Sequence, residues 1–177
     1  MSFDLGDDHF ALFGLPRAFG VDGEQLTRQY RAFQQRLHPD RFVSAPEGER
    51  RWSVQAAGRV NDAYTTLKTP LKRAVYLLSL AGVDIDEETD TRMDPMFLME
   101  QMELREALEA AEAADDTRGA LDTVRERLSA MEREASGVFE SAIGRGDTVA
   151  ARTQARQWQF VDKLKREARE IEARLDD

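Results

Sequence analysis

Apolar residues recur along this chain at three- and four-residue intervals rather than in alternation, which predicts an all-α protein. The first helix is short: Asp7 or Asp8 can cap it, Phe10 and Phe13 are its apolar positions, and it must stop near Gly14-Leu15-Pro16, because proline disfavours helical geometry in the preceding residue. Asp22 can cap a second helix from Gly23 to Leu37, with Leu26, Tyr30, Phe33 and Leu37 forming one buried stripe. His38-Pro39-Asp40 ends that helix in a loop. A third runs from about Glu47 to Lys68, with Ala56, Val60, Ala63, Tyr64 and Leu67 on one side, and so makes a long antiparallel hairpin with the second. Pro70 starts a fourth, with Leu71, Ala74, Val75 and Leu78 inward, ending before Gly82.

The pattern then breaks. Gly82 to Met93 holds five acidic and few apolar residues and is read as a connection between domains. Asp94-Pro95 can open a long helix to about Ala114, a second spans Thr117 to Ile143 with Leu121, Val124, Leu128, Met131, Ala135 and Val138 in register, and Gly144 and Gly146 mark a turn. Asp147 can cap the last helix, to about Leu175, along which Trp158, Val161, Leu164, Ala168, Ile171 and Leu175 share a side. The expected organisation is four helices in residues 1–82, a connection at 83–93, and a three-helix bundle in 94–177.

Charge sharpens this division. Of a net charge of -9, residues 1–80 contribute 11 basic and 9 acidic side chains, whereas residues 81–177 contribute 14 basic and 25 acidic ones. The two parts should therefore attract different partners, and an acidic chain of this kind is a poor nucleic-acid binder. No apolar run is long enough to span a bilayer and the start MSFDLGDDHF is acidic, unlike a leader, so a cytoplasmic protein without membrane contact is expected. With no cysteine and two isolated histidines, no cofactor or metal site is expected of the chain itself.

The first candidate for chemistry is His38-Pro39-Asp40. Taken alone the tripeptide could be a plain turn in which Asp40 satisfies a local amide. Its setting is distinctive, however: it follows a helix whose Arg28, Arg31 and Arg36 lie off the apolar stripe, with no acid between Glu24 and Asp40, and it precedes Arg41 and Phe42. Together with QLTRQYRAFQQRL before it and NDAYTTLKTP closing the third helix, residues 8–80 resemble a J domain. The resemblance implies that His38, Pro39 and Asp40 trigger ATP hydrolysis by a heat-shock chaperone of the HscA or DnaK type, with Arg28, Arg31, Arg36 and Arg41 as electrostatic contacts. Many J domains carry lysine where Arg41 stands, which keeps the charge but changes the hydrogen-bond geometry.

The second candidate is the helix after Asp94. At about 100° per residue, Met96, Phe97, Leu104, Ala107, Leu108 and Ala111 fall on one side as core. Leu98, Met99, Met102, Glu103 and Glu106 fall opposite, which predicts an exposed apolar patch rimmed by carboxylates. Such a patch could be covered by the rest of the chain, pair two copies as a weak homo-oligomer, or bind a partner, for which methionine is well suited. FLMEQMELREALE, RAVYLLSLAG and QFVDKLK are similar to the HscB family of co-chaperones, so the resemblance extends over nearly the whole chain. It implies that Leu98, Met99, Met102, Glu103 and Glu106, with Phe160 as a surface contact from the last helix, bind an IscU-type iron–sulfur scaffold protein. Ala110 stands where some relatives carry a further acid.

The remaining groups read as structural. His9 is expected on the surface at a helix start, Trp52 and Trp158 as core or rim packing, and Glu100, Glu103, Glu106 and Glu109 as a charged rim. An enzyme using His38 and Asp40 is remote, since no nucleophile or third group accompanies them. The expected protein is a non-catalytic adaptor promoting cluster transfer, with a J-domain co-chaperone for a different client as the alternative.

Overall fold

A computed structural model describes residues 6–85 and 95–176 and is all α-helical there, with helices α1 (His9–Leu12), α2 (Gly23–Arg36), α3 (Glu47–Lys68), α4 (Pro70–Leu80), α5 (Pro95–Glu112), α6 (Thr117–Gly144) and α7 (Thr148–Asp176). The chain divides into two compact units, Met1–Leu77 and Leu78–Asp177. Most of the expected connection at 83–93, and the Asp94 cap, lie outside the described residues.

Helix starts follow their caps. The Asp8 carboxylate accepts the amides of Phe10 and Ala11 at 2.8 and 3.0 Å and receives Arg17 Nε at 2.6 Å. Partial burial pushes this acid upward, but the Ala11 amide and Arg17 outweigh it and hold its pKa below the usual value. Asp22 accepts from Glu24 and Gln25, and Asp147 from Ala150. Helix stops follow glycine. Gly14, Gly82 and Gly146 have φ of 63°, 75° and 74°, and in each case the two amides at and after the glycine bond back to carbonyls in the last helical turn. Each glycine supplies the left-handed residue of a Schellman closure. Gly14, rather than Pro16, thus ends α1.

In the first unit, Leu26 and Leu37 are buried but Tyr30 and Phe33 are only half-buried, so the expected four-residue stripe of α2 is less enclosed than its spacing implied. Tyr30 instead stacks flat on Tyr64 of α3 at 3.9 Å, and its hydroxyl donates to Asn61 Oδ1. This keeps a hydrogen bond for the phenol at the edge of the α2–α3 contact. On α4, Ala74, Leu77 and Leu78 are buried while Leu71 and Val75 are half-buried.

His9 departs from expectation. Its ring stacks on Tyr76 at 4.1 Å and is buried, its backbone N–H donates to the Tyr76 hydroxyl, and among the described residues its buried Nδ1 makes no hydrogen bond. Desolvation, with a smaller push from Arg59, lowers its pKa.

In the second unit, α5 and α7 both run antiparallel to α6. Arg127 of α6 reaches Glu100 and Glu103 of α5, while Arg125 and Glu132 of α6 meet Glu172 and Lys165 of α7. Leu104, Leu108, Leu121, Leu128, Leu164 and Ile171 lie in their common core. Two expected core positions, Met96 and Val138, are exposed, and Leu175 emerges in the last turn of α7. Phe139 takes the buried place instead of Val138: at about 100° per residue it is in phase with Leu121 and Leu128, whereas Val138 sits at the stripe's edge. Trp158 is fully buried, and Trp52 is partly exposed.

Among the described residues no helix is long and apolar enough to cross a membrane, and no group of three or more His, Asp and Glu could hold a metal ion.

Candidate partner-binding surfaces

The first surface begins where α2 ends. Leu37 donates the last helical hydrogen bond, to Phe33, and His38 then turns out of the helix with ψ 131°, as the residue before a proline must. Pro39 opens a single 3-10 turn, Pro39–Phe42, within the loop between α2 and α3. Two hydrogen bonds to His38 hold the turn: His38 Nδ1 accepts the Asp40 amide at 3.3 Å, and the His38 carbonyl accepts the Arg41 amide at 3.0 Å.

This bracing leaves the polar groups in water. The His38 and Asp40 side chains are 60% and 85% exposed, with Nδ1 3.5 Å from Asp40 Oδ2. Arg28, Arg31, Arg36 and Arg41 are all exposed. Arg28 makes an i,i+4 pair with Glu24 at 3.7 Å, Arg36 lies over the Phe33 ring at 5.8 Å, and Arg41 reaches back to the Gln35 carbonyl at 3.5 Å. These solvated interactions are weak, so the guanidinium groups can exchange them for an acidic partner with little loss. A carboxylate on a proline-braced turn can pair with a partner's cation at low ordering cost.

The second surface is the outer side of α5. Phe97, Leu104, Leu108 and Ala111 are buried, and Leu98, Met99 and Met102 on the other side are 44%, 58% and 62% exposed, flanked by exposed Glu103 and Glu106. Three large apolar groups exposed side by side differ from the singly scattered apolar residues of an ordinary surface. Two of its members are less free than the sequence implied. Phe160 is half-buried, meeting Phe97 edge-on at 6.0 Å with the Arg105 guanidinium 5.8 Å from its ring centre, so only part of it is available at the surface. Glu103 receives Arg127 at 3.3 Å, and the same guanidinium lies 3.8 Å from Glu100.

Arg127 is the site neighbour that sequence reasoning missed. It lies on another helix, 24 residues from Glu103, and only the antiparallel packing of α5 on α6 brings the two together. A groove of about 420 Å³ beside this pair, between α5, α6 and α7, was equally illegible.

Known proteins resemble this chain over nearly its whole length. Residues 93–169 match the family model described as the HSCB C-terminal oligomerisation domain. A Vibrio cholerae protein named co-chaperone protein HscB homolog is 46% identical over 168 residues, covering 95% of this chain and 98% of its own length. Among solved structures, chaperone HscB from Vibrio cholerae superposes with a TM-score of 0.85 at 44% identity, over 96% of this chain and 99% of that one. The human co-chaperone HscB superposes with a TM-score of 0.86 at 32% identity, over 94% and 82%. Similarity of this extent, over both compact units, is shared descent rather than a shared motif: the chain belongs to the HscB family of co-chaperones, which are not themselves enzymes.

Proposed function

We propose that the protein is a cytoplasmic adaptor with two recognition surfaces. Residues 1–82 are a J domain whose α2–α3 hairpin presents His38, Pro39 and Asp40, with Arg28, Arg31, Arg36 and Arg41, to an HscA- or DnaK-type chaperone and stimulates its ATPase. Residues 83–93 are the connection. Residues 94–177 are a three-helix domain that binds an IscU-type scaffold through Leu98, Met99, Met102, Glu103, Glu106 and the accessible part of Phe160. Holding both partners at once couples ATP hydrolysis to release of the iron–sulfur cluster for protein maturation.

The observation that carries this reading is the braced turn: a 3-10 turn fixed by Pro39 and by two hydrogen bonds to His38, with the Asp40 carboxylate 85% exposed, in a chain of this family. An aspartate serving only its own fold would be expected to bond inward. The test is Asp40→Asn, which removes the charge and keeps the shape. Phosphate release by the chaperone should lose its stimulation, while calorimetric affinity for the scaffold stays within about twofold, since 1.4 kcal/mol would already be tenfold. Loss of both activities together would refute two independent surfaces.

The description of the matching family model as an oligomerisation domain favours a second reading, self-association through the α5 face. Sedimentation velocity at several concentrations separates the two: a homodimer gains mass with concentration and loses it in Met99→Ala and Met102→Ala variants.

A further inference from the structure

The groove between α5, α6 and α7 adjoins the α5 face and shares Met99 and Glu103 with it, but its other walls belong to α6 and α7. Its apolar lining includes Met96, 71% exposed, and Met131, half-buried on α6. Methionines offer an unbranched, polarizable surface that accepts aliphatic side chains of varied shape. Its charge is one-sided. Glu100, Glu103 and Glu134 all line it, and the single guanidinium of Arg127 is shared between Glu100 and Glu103, at 3.8 and 3.3 Å. Among the described residues its lining holds three carboxylates and no cation, so it favours a segment with lysine or arginine beside aliphatic residues and disfavours an acidic one.

We propose that the scaffold's footprint runs off α5 into this groove, where a basic, aliphatic segment of the scaffold lies over Met96 and Met131 with its cations against Glu134 and Glu100. This rests on the proposed scaffold-binding reading and extends it. Two features carry it: charge complementarity with a basic segment, and continuity with the α5 face through Met99 and Glu103.

The experiment titrates a purified IscU-type scaffold into the full-length protein and four variants by calorimetry, at low and at roughly 0.5 M salt. Glu134 and Met96 are exposed, so Glu134→Lys and Met96→Ala should leave the fold intact, which thermal melts verify. Glu134→Lys should weaken binding about tenfold at low salt and less at high salt, because the contact is screened. Met96→Ala should weaken it about threefold at both. Glu140→Lys, an equal charge reversal on α6 outside the groove, should change little, and Leu98→Ala reports on the α5 face itself. If Leu98→Ala weakens binding while both groove variants stay within twofold, the footprint ends at α5 and this inference fails with the adaptor reading intact. If Glu140→Lys weakens binding as much as Glu134→Lys, the effect is long-range charge and the groove has no occupant. If Leu98→Ala also changes nothing, the α5 reading falls and takes this one with it.

Discussion

Replacing Leu98, Met99 and Met102 together by alanine removes the apolar surface of α5 while leaving Phe97, Leu104, Leu108 and Ala111 in the core. Fully burying a leucine or methionine side chain yields about 1.5–3 kcal/mol. Each of these three already has about half of its surface covered in the free protein, so docking can add only about half of that, roughly 0.8–1.5 kcal/mol per residue. The three together amount to about 2.5–4.5 kcal/mol, and the methyl groups that alanine retains take back roughly 1.2 kcal/mol of it, so affinity for an IscU-type scaffold should fall by at least about tenfold. The assay is calorimetry, with circular dichroism to confirm cooperative unfolding and phosphate release to confirm that stimulation of the chaperone in the scaffold's absence persists. A folded triple variant that loses less than threefold in affinity would refute the claim that exposed apolar area on α5 drives this contact. A variant that also loses basal stimulation would refute the separation of the two surfaces.

Other consequences concern charge and burial. Arg127→Gln frees Glu103 and Glu100 from their intramolecular cation, so scaffold affinity should rise by up to about fivefold at low salt and the salt dependence should steepen. A fall instead would mean that Arg127 holds Glu103 in its binding position. The depressed pKa of His9 makes a stability prediction with a definite sign. Below its ordinary value of 6.5 the unfolded chain takes up a proton that the buried, stacked ring resists, so stability is complete above that pH and is lost as pH falls toward and through the folded pKa. His9→Phe keeps a ring against Tyr76 without the titration, and thermal melts between pH 7.5 and 5.5 should show a smaller decline than the parent. An identical decline in the two proteins would remove His9 as a source of acid sensitivity.

The local features of this fold could be read directly from the chain because their causes are local. Asp8, Asp22 and Asp147 cap amides two or three residues onward, Pro70 opens α4, and Gly82 and Gly146 close their helices with φ near 75°, all within a single helical turn of sequence. Helical periodicity likewise separated the buried side of α5 from the side carrying Leu98, Met99 and Met102, since one turn places them opposite Phe97 and Leu104. What periodicity cannot supply is the identity of the neighbour. Met96 is within the angular range of the core yet exposed in the first turn of α5, and His9 is a polar residue at a helix start yet buried because Tyr76 of α4 lies flat against it. Phe160 was placed at the surface by its angle and is half-covered by Phe97 and Arg105, two side chains of α5. The Arg127 pair and the acidic groove depend in the same way on α6 running antiparallel to α5. A helix's own sequence therefore fixed where it starts, where it stops and which side is oily. Which edge residues are covered, and which carboxylates are already answered by a cation, was decided by packing, because burial and ion pairing are properties of two elements at once and neither element's sequence contains the other's position.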